Sequence, residues 1–353
     1  MSASTTPAVS NRIPTLDGWR GLAIALVLFD HIQDSLLGRY IEPWTRTGIH
    51  GVTIFFVLSG FLITSKLLEG PIQLKQFYLR RFFRLIPAAW LFLAAMVFLT
   101  WWTHVEFVSK RELLSCLLFY RSFVDFHTGF AGHFWSLSIE EQFYFVWPCV
   151  LLFSGKRRGL WIASGAIGIF AFYRLSAWSY YVQGTNYIRT PMHVDALLVG
   201  CLLALLYSDE RWRANAKRYS AWLAAPALVV LAVCVARFHI LMPLTECMAI
   251  ALLILASMQH SHEVMARPLS FRPLAWLGTI SYSIYLWQEP LMGAHNGYVL
   301  AIGLPILSLG SYYLVERPAV RLGHRLTQGI KPTSQIIDCD NLLAAERGQR
   351  IIS

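Results

Sequence analysis

Charged residues are scarce in this sequence. Lysine, arginine, aspartate and glutamate make up 14% of its 353 residues, whereas 56% are hydrophobic, and the mean hydropathy is +0.49. A soluble domain must display a charged surface, so this composition argues against an ordinary soluble protein. It predicts an all-α, polytopic integral membrane protein, because roughly 20 predominantly apolar residues are enough for one helix to cross a bilayer.

Cysteine pairs and a signal-peptide cleavage site are also missing. The six cysteines show no CxxC spacing, and all except Cys339 lie in or near apolar stretches. They predict neither disulfides nor zinc, and we expect no metal and no bound cofactor. The N-terminal residues MSASTTPAVSNRIPTL are polar and show no small-residue cleavage site. We therefore expect the apolar segment that follows them to remain as the first span.

Long apolar stretches recur along most of the chain. They predict about ten transmembrane helices, at 16–37, 49–68, 85–103, 137–155, 159–180, 192–208, 219–238, 240–259, 274–294 and 298–316. The predicted domains are a cytoplasmic N-terminal tail over 1–13, one transmembrane domain over 14–326 and a polar C-terminal tail over 327–353. Between the third and fourth spans, the apolar piece LLSCLLFY predicts a re-entrant or interfacial helix on the outer side.

Lysine and arginine set the expected orientation. If the N-terminus is cytoplasmic, the segments on the outer side of the membrane contain only scattered basic residues. The segments on the cytoplasmic side then contain four basic clusters: Lys75, Arg80, Arg81 and Arg84; Lys156, Arg157 and Arg158; Arg211, Arg213, Lys217 and Arg218; and Arg317, Arg321 and Arg325. The positive-inside bias therefore places both termini in the cytoplasm. The net charge of +10 reflects this topology, and we expect no nucleic-acid partner because no reader fold accompanies it.

The first span contains the ionisable residues Asp17, Arg20, Asp30 and His31. Such residues are costly at hydrocarbon depth and indicate function. Arg20 and His31 share nearly the same helix face, roughly 16 Å apart, so one long ligand such as coenzyme A could contact both. His31 could activate an acceptor hydroxyl or receive an acyl group. A histidine that only packs between helices is the alternative.

Arginines crowd the segment LKQFYLRRFFRLIP, which follows the second span. Arg81 and Arg84 lie one turn apart if the segment is helical, and their forked donors suit phosphate oxygens. Ordinary positive-inside anchoring is the alternative for these two residues and for Arg80.

Two adjacent carboxylates, Glu140 and Glu141, begin a span in FWSLSIEEQFYFVWP. The spacing predicts that Glu140, Tyr144 and Trp147 share one helix face. A carboxylate here could orient His31 or bind a sugar hydroxyl. An acid favoured by the dipole at a helix N-terminus is the alternative.

Three further residues are candidates for supporting roles. Asp195 lies near the start of MHVDALLVGCLLA, where a helix-end charge or an ion pair is the stronger interpretation. Ser59 and Gly60 belong to FFVLSGFLIT, and the glycine would allow backbones or an acyl chain to approach closely.

Seven segments, taken in order, resemble the membrane-bound acyltransferase 3 family, which includes bacterial polysaccharide, lipopolysaccharide and Nod-factor O-acetylases. They are LDGWRGLAIALVLFDH, FFVLSGFLIT, RRFFRLIP, FWSLSIEEQFYFVWP, MHVDALLVG, LGTISYSIYLWQEP and VERP, and they cover residues 14 to about 320. The resemblance implies catalytic roles for His31, Glu140 and Glu141. It implies acyl-CoA binding by Arg20, Arg80, Arg81 and Arg84, with Asp17, Asp30, Ser59, Gly60, Tyr144 and Asp195 in support.

The implied function is O-acyl transfer from a cytoplasmic acyl-CoA, usually acetyl-CoA as cosubstrate, to a hydroxyl of a glycan, glycolipid or exported polysaccharide. The implied location is the bacterial inner membrane, among membrane lipids and other proteins of glycan assembly or export. One departure is Gln288 in YLWQEP, where many family members have histidine. This weakens any role for an imidazole there, although Gln288 and Glu289 could still form hydrogen bonds.

Two other functions remain open on the sequence. A proton-coupled secondary transporter would also carry buried Asp, Glu and His in about ten spans, although the halves show no convincing internal repeat. A non-catalytic scaffold or export partner would have the same spans and would tolerate the loss of His31.

Overall fold

A computed structural model describes residues 13–33, 47–124, 130–176, 190–236, 243–260, 266–292 and 297–328. In these ranges the regular structure is helical and includes no strand. The helices are α1 (Pro14–Ile32), α2 (Gly48–Leu68), α3 (Leu74–Thr103), α4 (Lys110–Leu117), α5 (Phe134–Ser176), α6 (Val194–Tyr207), α7 (Glu210–Ala236), α8 (Pro243–Gln259), α9 (Arg272–Thr279), α10 (Ser281–Met292) and α11 (Val299–Gln328).

Five helices in the described part of the chain are long and apolar enough to cross a membrane: α2, α3, α5, α7 and α11. The shorter helices α6 and α8 are also apolar. Large aromatic side chains point outward with no protein to cover them, for example Trp161, Phe172 and Trp222. Such a surface suits lipid rather than water. The prediction of an all-α polytopic membrane protein is confirmed, and the number of ten spans stays a prediction.

Several helix bounds differ from the predicted spans. The third helix begins at Leu74, so it contains the predicted span 85–103 and extends it by a helical segment that carries the arginines. The predicted spans 137–155 and 159–180 form the two halves of α5, which meet at Gly155. The predicted span 274–294 is broken between α9 and α10. Residues 34–37, 177–180, 237–238, 240–242 and 293–294 of the predicted spans lie outside the described residues.

The tightest helix contact joins α2 to α6. A Cβ on Gly60 would lie 1.9 Å from the carbonyl oxygen of Leu197, and one on Gly200 would lie 2.0 Å from that of Val57. Any larger side chain would push the two backbones apart. The glycine of FFVLSGFLIT therefore has a packing role, as the sequence suggested.

A short helix precedes α5, where LLSCLLFY predicted one. Ser109 and Glu112 form a capping box at the start of α4. Glu112 also accepts a hydrogen bond of 3.0 Å from the fully buried Arg121, whose backbone N–H donates to Ser138 of α5. This buried pair ties α4 to the first turns of α5.

Candidate active site

A cavity of about 500 Å³ lies among α1, α2, α3, α5, α10 and α11. Its volume falls in the usual range for small-molecule sites. Five cationic side chains line it: Arg20, Lys66, Arg80, Arg81 and Arg84. Glu140 supplies the only carboxylate among the described lining residues. Such a cavity favours a ligand with several negative charges.

Arg81 is held in place by protein groups. Its Nη2 donates to Glu140 at 2.9 Å and to Glu141 at 3.0 Å, and its Nε donates to Glu141 at 3.1 Å. The guanidinium also lies over the ring of Tyr144, 3.7 Å from the ring centre. Two carboxylates thus balance its charge, which leaves it less available to a phosphate than the sequence suggested.

Glu140 joins three helices at one carboxylate oxygen. Oε1 accepts hydrogen bonds from Ser59 of α2 at 2.7 Å, from Tyr144 of α5 at 2.7 Å and from Arg81 of α3 at 2.9 Å. The predicted shared face of Glu140 and Tyr144 is therefore present. From the sequence, one of the two acids could have oriented His31. In the structure both acids instead accept hydrogen bonds from Arg81.

The remaining arginines differ in how they are paired. Arg20 lies 3.6 Å from Asp17, and Arg80 donates to the hydroxyl of Thr327 at 2.8 Å. Among the described residues, Arg84 makes no hydrogen bond or ion pair, although it lines the cavity. Arg84 is therefore the cation of this group that a ligand could engage without breaking a protein contact.

A second cavity, of about 650 Å³, adjoins the first. The two share Arg20, Lys66 and Arg84, and the second is also lined by Asp17 and Glu316. Three of the cations thus line both cavities. An elongated ligand could extend from one cavity into the other.

His31 lies at the end of α1 away from Arg20. Its Nδ1 is 2.9 Å from the carbonyl oxygen of Val27, one turn earlier. Because a carbonyl oxygen can only accept, Nδ1 carries the proton and Nε2 keeps its lone pair. The described lining of the two cavities includes Arg20 but not His31. Asp30 lies beside His31 in α1 and packs against Gly48 of α2.

Two hydroxyl groups, those of Ser136 and Tyr285, also line the first cavity. The oxygens of Ser136 and Tyr285 are 2.5 Å apart, and both hydroxyls lie within hydrogen-bond distance of the carbonyl oxygen of His133. Behind them, the His133 imidazole forms an ion pair with Glu289. Its Nε2 is buried and has no hydrogen-bond partner among the described residues.

The sequence did not single out His133, and it gave Glu289 no definite role. One signal was available, because Glu289 is a carboxylate inside the apolar segment YLWQEP. His133 gave none, since its predicted position lay outside the spans. Their pairing depends on how α10 packs against the start of α5.

Asp195 lies apart from the cavities. Its carboxylate is fully buried and forms an ion pair with Arg174 at the end of α5. The contact of Asp195 with Arg174 therefore agrees with the interpretation of this residue as part of an ion pair. Glu316 accepts a hydrogen bond of 2.7 Å from Ser283, which links α11 to α10.

A family model described as "Acyltransferase domain", acyltransferase 3, matches residues 13–315. The peptidoglycan O-acetyltransferase OatA of Listeria monocytogenes is 31% identical over 326 residues, which cover 82% of this chain and 50% of that protein. The putative peptidoglycan O-acetyltransferase YrhL of Bacillus subtilis is 32% identical, over 89% of this chain and 56% of its own. The O-acetyltransferase OatA of Staphylococcus aureus is 28% identical, over 86% and 54%.

The chain thus spans about half the length of these curated relatives. No solved structure matches it.

Proposed function

The chain belongs to the acyltransferase 3 family, and on that basis we propose that it moves an acetyl group from cytoplasmic acetyl-CoA to a hydroxyl of a cell-envelope glycan. The observation that carries the proposal is the cation-lined cavity, in which Arg84 makes no hydrogen bond or ion pair to any of the described residues. Coenzyme A carries several phosphate charges at one end and the reactive thioester at the other. A cavity lined by both cations and neutral hydroxyls suits the two ends of such a ligand.

The arginines divide into two roles under this proposal. Arg84 and Arg20 contact the phosphates, because a guanidinium offers paired donors to phosphate oxygens. Arg81 positions the wall of the cavity, since Glu140, Glu141 and Tyr144 already hold it. Arg80, which is bonded to Thr327, adds positive charge at the edge.

His31 supplies the proton acceptor for the transfer. The acceptor hydroxyl loses its proton to Nε2 as its oxygen attacks the thioester carbonyl carbon. A C–O bond forms, the C–S bond breaks, and the thiolate of coenzyme A takes the proton back from the imidazolium to leave as the thiol. General base catalysis of this kind contributes about 10²- to 10⁴-fold to rate.

Peptidoglycan is the acceptor that we favour. Two of the relatives carry peptidoglycan O-acetyltransferase in their names, one of them as putative. In this proposal the protein spans the bacterial inner membrane several times and has both termini in the cytoplasm. It would take acetyl-CoA from the cytoplasm and deliver acetyl groups to the outer side of the membrane. Other proteins of glycan assembly or export are possible partners in such a delivery.

Mass spectrometry of cell-wall fragments tests this function in cells. A deletion strain of the source organism should lack ester-linked acetyl groups on peptidoglycan fragments, and the wild-type gene should restore them. The His31→Ala gene should not restore them, although its protein reaches the same level in the membrane. Unchanged acetylation in the deletion strain would overturn peptidoglycan as the acceptor.

A further inference from the structure

The last turns of α11 pack against the arginine-rich start of α3. Gly323 lies against Phe83, where a Cβ on the glycine would be 2.7 Å from the Cβ of the phenylalanine. Thr327 lies one turn further along on the same face of α11 and is fully buried. Its backbone carbonyl oxygen accepts a hydrogen bond of 3.1 Å from the side chain of Gln76. Close packing and a polar contact thus hold the two helices together.

The hydroxyl of Thr327 links Arg80 of α3 to α11. Oγ1 accepts a hydrogen bond of 2.8 Å from Nε of Arg80 and donates one of 3.0 Å to the carbonyl oxygen of His324. Because a hydroxyl has a single proton, the donation to the carbonyl leaves its lone pairs for Nε. Arg80, Gln76 and His324 line the first cavity, whereas its described lining does not include Thr327. Thr327 therefore acts on the cavity through Arg80.

The contacts of Arg80 and Arg81 differ in charge. Arg81 is bonded to the carboxylates of Glu140 and Glu141, which balance its positive charge. Arg80 is bonded to a neutral hydroxyl and forms no ion pair with any described residue. A positive charge that no carboxylate balances attracts an anion in a concave site more strongly than a balanced one. The Thr327 hydroxyl thus holds the guanidinium of Arg80 without neutralising it.

A restrained arginine also binds a ligand at a lower entropic cost than a mobile one. The arginine side chain has several rotatable bonds, and ordering them when a ligand binds costs conformational entropy. The hydrogen bond from Nε of Arg80 to Thr327 restricts these rotations before a ligand binds. The positive charge is then kept at the cavity, where the phosphates of the donor lie under the proposed function.

We infer that Thr327 is a positioning residue of the donor site, which keeps the charge of Arg80 at the cavity and so raises the affinity for acetyl-CoA. The inference rests on the proposed function, because coenzyme A supplies the phosphates. Thr327 contacts neither donor nor acceptor and takes no part in the chemical step. It also lies beyond residues 13–315, which the family model matches, so that match gives Thr327 no role.

Thr327→Val removes the hydroxyl and keeps the shape of the side chain. For the purified chain in lipid nanodiscs, we expect Kd for acetyl-CoA to rise about 3- to 10-fold, as for the loss of one hydrogen bond, while kcat at saturating donor stays within about twofold. Thr327→Ser keeps the hydroxyl, so its Kd should lie within about twofold of the wild-type value. A wild-type Kd in Thr327→Val would overturn the inference.

Two comparisons separate positioning from a merely structural role. In an Arg80→Ala background, Thr327→Val should have no further effect on Kd, because the hydroxyl then has no guanidinium to hold. With acetylpantetheine, a thioester donor that lacks the phosphates, Thr327→Val should transfer acetyl groups as fast as wild type. A structural defect would add to the loss in Arg80→Ala and slow transfer from both donors, and either result would overturn the inference.

Thr100 of α3 provides a matched control. Its hydroxyl donates to the carbonyl oxygen of Met96 at 2.9 Å and accepts from the backbone N–H of Phe107 at 3.0 Å, and the described lining of both cavities does not include it. Thr100→Val should leave Kd and kcat unchanged. If Thr327→Val fails to accumulate, Thr327→Ala carries the test, because alanine also lacks the hydroxyl and favours a helix.

The two proposals fail in different ways. Wild-type protein that neither binds acetyl-CoA nor transfers its acetyl group would reject the proposed function and the inference with it. If the wild type binds the donor without transfer, the function is rejected and the Kd of Thr327→Val still decides the inference. Wild-type binding and transfer, with an unchanged Kd in Thr327→Val, would reject only the role of Thr327.

Discussion

Arg81 and Arg84 lie one turn apart on α3, yet their surroundings differ. Arg81 is bonded to two carboxylates, whereas Arg84 has no hydrogen-bonding or ion-pairing partner among the described residues. The sequence placed both in the same group because their spacing and side chains are alike. Only the packing of α5 against α3 shows that one is balanced by protein charge and the other is open to a ligand.

Arg84→Ala should therefore weaken donor binding more than it slows turnover. A hydrogen bond to a charged group contributes about 1.5–3 kcal/mol, which corresponds to roughly a 10- to 100-fold higher KM for acetyl-CoA. Arg84→Lys should recover only part of this, because an ammonium lacks the planar fork. The measurement is initial rate against acetyl-CoA concentration, with the exposed Arg218→Ala of α7 as control. An unchanged KM would return Arg84 to simple positive-inside anchoring.

Glu140 and Glu141 form a second pair whose members differ. Glu140→Gln should impair transfer and stability more than Glu141→Gln, because Glu140 also accepts hydrogen bonds from Ser59 and Tyr144. Loss of one partner in a buried ion pair costs about 3 kcal/mol, enough to lower the thermal midpoint by several degrees. Thermal unfolding in detergent and transfer rate measure the two effects. Equal, mild changes would leave both acids as helix-dipole partners.

At the scale of elements, long apolar stretches predicted where helices occur but not how they end or join. The break in α5 depends on Gly155, whose φ of 68° is a left-handed conformation that suits glycine. Arg81 and Arg84 proved to be helical because α3 begins at Leu74, well before its apolar part. The contact of His133 with Glu289 needs α10 and α5 to meet, and no local pattern predicts such a meeting.

The contact between α2 and α6 gives a test at this scale. Gly200→Ala should reduce the amount of folded protein sharply, because its Cβ would lie 2.0 Å from the backbone oxygen of Val57. Gly165→Ala in α5 has open space around it and should be neutral or slightly stabilising, by about 0.5–1 kcal/mol, since alanine favours helix. Size-exclusion chromatography with thermal unfolding compares them. Similar behaviour of both variants would contradict the close packing of α2 on α6.

At the scale of the whole molecule, composition and basic clusters predicted a polytopic protein with its arginine-rich ends in the cytoplasm. The structure confirms the helical membrane fold, and the orientation stays a prediction. The orientation matters for the proposed function, because donation from cytoplasmic acetyl-CoA requires the arginine cavity to open toward the cytoplasm.

Single cysteines in a cysteine-free background test the orientation. Glu106→Cys, in the loop after α3, should react with a membrane-impermeant maleimide in intact cells. Asp209→Cys, between α6 and α7, should react only after the membrane is permeabilised. The reverse pattern would place the arginine cavity on the outer side and contradict donation from the cytoplasm.

Release of coenzyme A by the purified protein tests the central claim most directly. The wild-type chain in lipid nanodiscs, given radiolabelled acetyl-CoA and soluble peptidoglycan fragments, should release coenzyme A and label the fragments in equal amounts. His31→Ala should do neither at more than about a hundredth of the wild-type rate. Labelled glycan with wild-type protein and none with His31→Ala is the predicted result. Wild-type protein that binds acetyl-CoA but neither releases coenzyme A nor labels the glycan would contradict the account.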